Sequence, residues 1–169
     1  MNKIILVFAA ALAISCGNNK KDENSDLKIG TQVEEAAPAQ ATDDNVAVVN
    51  ITGNDQMKYD KSEIRVKAGQ KVRLTLKHVG TMKKDVMGHN WTLLTQDADM
   101  AAVGQASATA ADTDYIPAGM KDKIIVHTKM LGGGESDTIE FDAPAPGTYT
   151  YMCTFPGHYA LMQGKFIVE

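Results

Sequence analysis

One short stretch near the C-terminus constrains the fold more than any other: Tyr151-Met152-Cys153-Thr154-Phe155-Pro156-Gly157-His158-Tyr159-Ala160-Leu161-Met162. It lies between two strand-like runs, Thr148 to Cys153 and Lys165 to Val168. Pro and Gly at its middle turn the chain tightly, so Cys153 and His158 come within a few ångströms of each other.

The loop offers a thiol, an imidazole and a thioether in the order Cys-x4-His-x3-Met. Such donors suit copper; calcium and magnesium take oxygen. A second imidazole stands upstream, in Val86-Met87-Gly88-His89-Asn90-Trp91. Two His, one Cys and a weak axial Met make the ligand set of a blue-copper electron-transfer site, and the same donors also suit zinc. Taken singly, each residue has an ordinary role: Cys as a small buried hydrophobe, His as a hydrogen-bonded residue, Met as packing. The spacing across strand, loop and strand, with Gly-His-Asn at another strand end, favours the ligand set.

The 169 residues carry a net charge of −4, unevenly placed. Residues 1–16 contribute +1, residues 17–45 contribute −4 and residues 46–169 contribute −1. No clustered basic face suggests nucleic-acid binding. The two cysteines are Cys16 and Cys153. After Met1-Asn2-Lys3, the apolar run Ile4 to Ile14 is too short for a membrane span and suits a signal-peptide core. Ser15-Cys16-Gly17 follows and resembles the lipobox of bacterial lipoproteins. The reading is an exported, periplasmic chain anchored to a membrane through a lipid on Cys16, with ordinary secretory cleavage as the alternative. Residues 17–45 are polar, acidic and without aromatics, which predicts a disordered tether. A single thiol left in an exported domain favours metal binding over a bare reactive group.

From residue 46 the texture becomes β-rich. Lys71 to His78 alternates strictly, with Val72, Leu74 and Leu76 on one face, as a half-buried strand does. Further strands are expected at Val46–Ile51, Met57–Lys61, Glu63–Lys67, His89–Thr95, Lys123–His127 and Asp137–Phe141. Gly80–Asp85 reads as a polar loop and Leu131–Ser136 as a flexible turn. Ala-rich residues 97–111 predict a helix with Asp97 as its N-cap. About eight short strands and one helical insertion argue for an all-β sandwich or barrel.

Residues 46–169 resemble the azurins, a branch of the cupredoxins. The pieces that carry the resemblance are Gly53-Asn54-Asp55-Gln56-Met57, Val86 to Trp91, His127-Thr128-Lys129, Cys153 to His158, and Ala160-Leu161-Met162. The resemblance implies a Greek-key β-sandwich and one type 1 copper passing single electrons between redox proteins, with c-type cytochromes or a copper or haem reductase as candidate partners. It implies equatorial ligands His89, Cys153 and His158, axial Met162, and the Gly88 carbonyl as a distant contact. Asn90 and Thr154 would tie the ligand loops, and backbone N–H groups of Asn90 and Phe155 would donate to the Cys153 sulfur. His158 would be the exposed edge for electrons, within an apolar docking rim of Met87, Phe155, Pro156 and Ala160. The residue matching His78 can couple protonation to potential in that family; a hydrogen-bonded core role is the alternative. The family's usual disulfide is missing, with Ala68-Gly69-Gln70 where its second half would be, and the insertion 99–115 is poorly matched. An enzyme is not expected. The rival function is copper carriage or buffering without redox cycling.

Overall fold

The computed structural model describes residues 45–169. The leader over 1–16 and all of the tether before Asn45 lie outside the described residues. The elements are β1 (Val46–Asn54), β2 (Lys58–Tyr59), β3 (Glu63–Val66), β4 (Lys71–His78), α1 (Lys84–Met87), β5 (Thr92–Leu94), α2 (Met100–Ser107), β6 (Ile124–His127), β7 (Ser136–Asp142), β8 (Gly147–Met152) and β9 (Gln163–Val168). Short 3-10 turns occupy Ala111–Thr113, Ala118–Lys123 and His158–Ala160.

Alternation along β4 is the organising pattern. Val72, Leu74 and Leu76 are fully buried, while Lys71, Arg73 and Lys77 face out. Burying each of those aliphatic side chains contributes roughly 1.5–3 kcal/mol. On the outer face the pairing with β7 sets Lys71 against Asp142, Arg73 against Glu140 and Thr75 against Thr138. All three pairs make contact, at 2.9, 2.6 and 2.8 Å. These cross-strand pairs reinforce the same register that the buried face demands.

Two sheets result, in the orders β2-β1-β4-β7 and β3-β9-β8-β5-β6. β1 runs parallel to β4 and β3 parallel to β9; the other pairings are antiparallel. The expected sandwich is present, with nine strands among the described residues where about eight were read. Trp91 sits fully buried in the core, with ring centroids of Tyr151, Phe141 and Phe166 at 5.6, 6.0 and 6.0 Å. The Tyr149 hydroxyl donates to the Ala145 carbonyl at 2.7 Å and braces the turn into β8, the device known as a tyrosine corner.

β8 is buried on both faces at its end. Tyr149, Tyr151 and Cys153 join the main core, whereas Met152 packs with Leu94 and Val103 in a separate cluster. α2 supplies Val103 and so covers the outer face of the second sheet. The N-cap of α2 is Asp99, whose carboxylate accepts from Ala101 and Ala102 N–H at 2.9 and 3.2 Å. The expected cap, Asp97, instead accepts from Thr95 Oγ1 and Lys123 Nζ, both at 2.7 Å. Both aspartates precede the Ala-rich run, and it is Asp99, directly before Met100, that caps it.

Three other expectations are corrected. The polar loop at 80–85 passes into α1. The strand expected over His89–Thr95 is regular only from Thr92; His89 makes an isolated bridge to Leu131. The glycine turn after Leu131 is tied down, with Gly133 and Gly134 N–H donating to Met82 and His78 carbonyls at 2.8 and 2.9 Å.

Candidate metal centre

The end of the sandwich where β8 runs out carries the centre. Cys153 follows β8 directly, and its N–H donates to the Met162 carbonyl at 2.9 Å. That bond closes the loop and sets Met162 beside Cys153 at the foot of β9. Within the loop, Gly157 adopts φ 80°, the left-handed conformation that glycine enters without penalty. The turn lets His158 N–H donate to Phe155 O at 3.0 Å and Met162 N–H to His158 O at 2.8 Å. His158 Nδ1 thereby comes to 3.7 Å from Cys153 Sγ.

His89 arrives from the other arm. Its backbone N–H and carbonyl pair with Leu131, at 3.0 and 2.8 Å. Its Nε2 lies 2.8 Å from the Asn54 carbonyl, so Nε2 carries the proton and Nδ1 is left as a bare lone pair. His78 stacks on its face, centroids 4.3 Å apart and planes within 13°. A Cβ on Gly53 would stand 2.9 Å from His89 Cδ2 and 3.2 Å from Met162 Cε. That position must stay small for the ring and the thioether to fit. The Gly88 carbonyl is 3.8 Å from Cys153 Sγ.

The two arms are laced together by Asn90 and Thr154. Asn90 Nδ2 donates to Thr154 Oγ1 at 2.7 Å, and Thr154 N–H donates to Asn90 Oδ1 at 2.8 Å. The Tyr59 hydroxyl donates to the Asn90 carbonyl from the core side. All of these groups are buried, where a satisfied pair holds its geometry and a broken one is costly.

Ligand atoms of His89, Cys153 and His158 lie within 4.8 Å of one another. Three buried side-chain polar atoms among the described residues lack a hydrogen-bond partner: His89 Nδ1, Trp91 Nε1 and Thr92 Oγ1. Only the first belongs to a cluster of metal-ligating atoms. A bare imidazole lone pair facing a thiol and a second imidazole fits a metal ion, and the N/S donor set fits copper. Electrostatics agree. Burial pushes the Cys153 thiol up to about 12, while backbone N–H groups of Asn90 and Phe155 act in the opposite sense and favour the thiolate. Burial, helped by the neighbouring imidazoles of His89 and His78, pulls His158 down to about 4. Burial also lowers His89, against the Asn54 hydrogen bond. Both imidazoles are therefore neutral and able to ligate at neutral pH.

The structure differs from the sequence reading at the surface. His158 is only 3 % exposed, so at most an edge of its ring reaches solvent. Phe155 is buried; Met87 and Pro156 are half-buried and Ala160 exposed. Leu161, at 63 %, and Val86, at 55 %, are large exposed apolar residues beside the ligand segments that the sequence reading left out. It also passed over Gly53 and Asn54 as parts of the site, although both lie in a string that carried the resemblance. Nothing in residue type marks a backbone carbonyl or an absent Cβ as functional. His127 is exposed, and its Nδ1 lies 3.1 Å from the Thr128 carbonyl.

Comparison with known proteins places this arrangement. Residues 46–169 match the family described as copper binding proteins, plastocyanin/azurin family. Azurin-1 of Alcaligenes xylosoxydans xylosoxydans is 47 % identical over 123 residues, covering 69 % of this chain and 92 % of that one. Azurin of Bordetella pertussis is 47 % identical over 121 residues, covering 69 % and 79 %. Among solved structures, auracyanin A from Chloroflexus aurantiacus, described as a "blue" copper protein, superposes with a TM-score of 0.65 at 35 % identity, covering 73 % of this chain and 99 % of that one. An azurin from Methylomonas sp. strain J gives 0.64 at 34 %, covering 72 % and 97 %. Sequence, sandwich and the His-Cys-His cluster agree: the chain belongs to the plastocyanin/azurin family of copper-binding proteins.

Proposed function

We propose that the protein carries single electrons through one type 1 copper held by His89 Nδ1, Cys153 Sγ and His158 Nδ1, with Met162 as the weak axial ligand and the Gly88 carbonyl as a distant contact. The observation that carries this reading is the unpartnered, buried Nδ1 of His89 beside the other two ligand atoms. Copper supplies the one-electron couple. The chain supplies a shell that is already assembled. Asn54 fixes the His89 tautomer, Asn90 and Thr154 hold the two arms at one spacing, and the Met162 carbonyl fixes the Cys153 backbone. A shell held this firmly has little to rearrange when charge changes. Cys153 would hold the metal as a thiolate, because a coordinated thiol is deprotonated outright.

Partners are redox proteins that dock briefly on the apolar end around His158. Met87, Pro156 and Ala160 form its rim, with Val86 and Leu161 added from their exposure. A small apolar contact releases quickly, as weak electron-transfer encounters require. The chain is exported to the periplasm and held at a membrane by a lipid on Cys16, with residues 17–45 as tether. Among the described residues no helix is long and apolar enough to cross a membrane.

The test is a visible absorption spectrum of the purified protein titrated with Cu(II), beside Cys153→Ala. An intense blue thiolate band, absent from the variant and bleached by reductant, is expected. A pale complex indifferent to Cys153 would overturn the electron-carrier reading in favour of copper carriage.

A further inference from the structure

The insertion between β5 and β6 grips the ligand loop on both sides of His158. Before it in sequence, Phe155 meets the Tyr115 ring edge-on at 5.1 Å and the His158 ring at 4.6 Å. Phe155 is also backed by Gly88, where a Cβ would come within 2.8 Å of its ring. After His158, Tyr159 lies on α2 at Gly104: a Cβ there would stand 2.4 Å from Tyr159 Cδ1. Glycine is a poor helix former, and the ring lying on it accounts for its place mid-helix.

Tyr115 is aimed by its backbone. Asp114 and Tyr115 have φ 52° and 61°, two consecutive non-glycine residues in the left-handed region. Residues hold that conformation only where their surroundings over-determine it. Here Asp114 and Tyr115 N–H donate to Ala111 and Ala110 carbonyls at 3.2 and 2.9 Å, Thr113 Oγ1 donates to Ile116 O at 2.7 Å, and Ile116 and Pro117 are buried. Lys84 of α1 reaches Asp114 at 3.5 Å. The insertion therefore commits a strained turn and a mid-helix glycine to two contacts, and both fall on neighbours of one imidazole.

We propose that this insertion is a clamp for His158, with Tyr115 and Gly104 as positioning residues that act through Phe155 and Tyr159. His89 needs no such device, because the sandwich itself holds it. The clamp deepens the copper reading and rests on it for its purpose, but its mechanical action is present without metal.

The experiment compares wild type, Tyr115→Ala, Tyr115→Phe, Gly104→Ala and Tyr159→Ala. In metal-free protein, imidazole nitrogen relaxation is measured for His158 and His89. Copper affinity is measured by competition with a chelator, and thermal unfolding reports on the fold. Tyr115→Ala, Gly104→Ala and Tyr159→Ala should each mobilise the His158 ring while leaving His89 unchanged. Each should weaken copper binding about tenfold, the lower end of what losing a support to a ligand costs. Tyr115→Phe keeps the ring edge and should match wild type. Equal mobilisation of both imidazoles would show general loosening and overturn the clamp; so would unchanged His158 relaxation in folded variants. If Tyr115→Ala does not fold, Gly104→Ala and Tyr159→Ala decide. Failure of wild type to bind copper would sink the metal reading, and the metal-free relaxation would still decide the clamp.

Discussion

The two imidazoles of the centre are held in different ways. His89 is fixed by the sandwich on every side: a backbone bridge to Leu131, a hydrogen bond to the β1 carbonyl of Asn54, a stacked His78 and the bare face of Gly53. His158 is held by its own loop and by packing of Phe155 and Tyr159 against the insertion. It is also the only one of the two with any exposure. One side of the centre is thus held by the sandwich, and the other lies where an edge of its ring meets solvent. Rigidity is bought with sheet on the first side and with loop packing on the second.

Asn90 joins the two sides, and removing it should have the largest effect. Asn90→Ala leaves Thr154 N–H and Oγ1 buried without their partners. At about 1–3 kcal/mol for each buried group left unpaired, metal-free stability should fall by roughly 2–4 kcal/mol in urea unfolding. Relaxation of both imidazoles should rise together. A change confined to one of them would mean that the two sides are held independently.

Acid should act on both imidazoles in the same direction. Each is buried with its pKa below the unfolded value, His158 at about 4. Above an unfolded pKa of about 6.5 they contribute no pH dependence. Below it the unfolded chain takes up protons that the native state refuses, so stability falls as pH drops from about 6.5 toward 4. The paired carboxylates act in a lower window. Asp97 is held at about 2 by Lys123 and Thr95, and its contribution, present above the unfolded aspartate value, is lost as pH falls through about 2. The melting temperature of the metal-free protein should therefore decline in two stages. His158→Gln should flatten the first stage, and an unchanged first stage would place the titration on other groups.

Much of this was legible in residue types and much was not. Strict alternation in Lys71–His78 named both ends of β4, because a strand with one buried face has no freedom of register. The spacing Cys-x4-His-x3-Met marked Cys153, His158 and Met162 as candidate ligands, and the structure brings the first two together with His89. The helix was expected from its alanines, but its cap was misplaced by two residues. Two aspartates lie close before the run and residue type does not separate them: Asp99 accepts from the first-turn N–H groups, while Asp97 pairs with Thr95 and Lys123. Asn54 and Gly53 act through a carbonyl and a missing side chain, which leave no mark in residue chemistry. Tyr115 and Tyr159 act through tertiary contacts across long sequence separations.

Gly53→Ala tests the sheet-held side. The new Cβ meets His89 Cδ2 at 2.9 Å and Met162 Cε at 3.2 Å. Overpacking of this kind costs about 1–3 kcal/mol. Metal-free stability should drop by that amount, and the His89 imidazole signals should shift more than those of His158. Equal shifts would show that the pocket yields as one body.

Asp99→Ala is the mildest change and the sharpest test of the loop-held side. Asp99 caps α2 through two hydrogen bonds and touches no proposed ligand. Losing an N-cap costs about 0.5–2 kcal/mol, so unfolding should shift by roughly 1 kcal/mol. The informative readout is local. α2 bears on the ligand loop where Tyr159 lies on Gly104, so fraying its first turn should loosen His158 slightly while Asn54 keeps His89 in place. If neither imidazole responds to a measurable loss of helix, α2 is a cover for Leu94 and Met152, and the insertion's support for His158 is left to the contact of Tyr115 with Phe155.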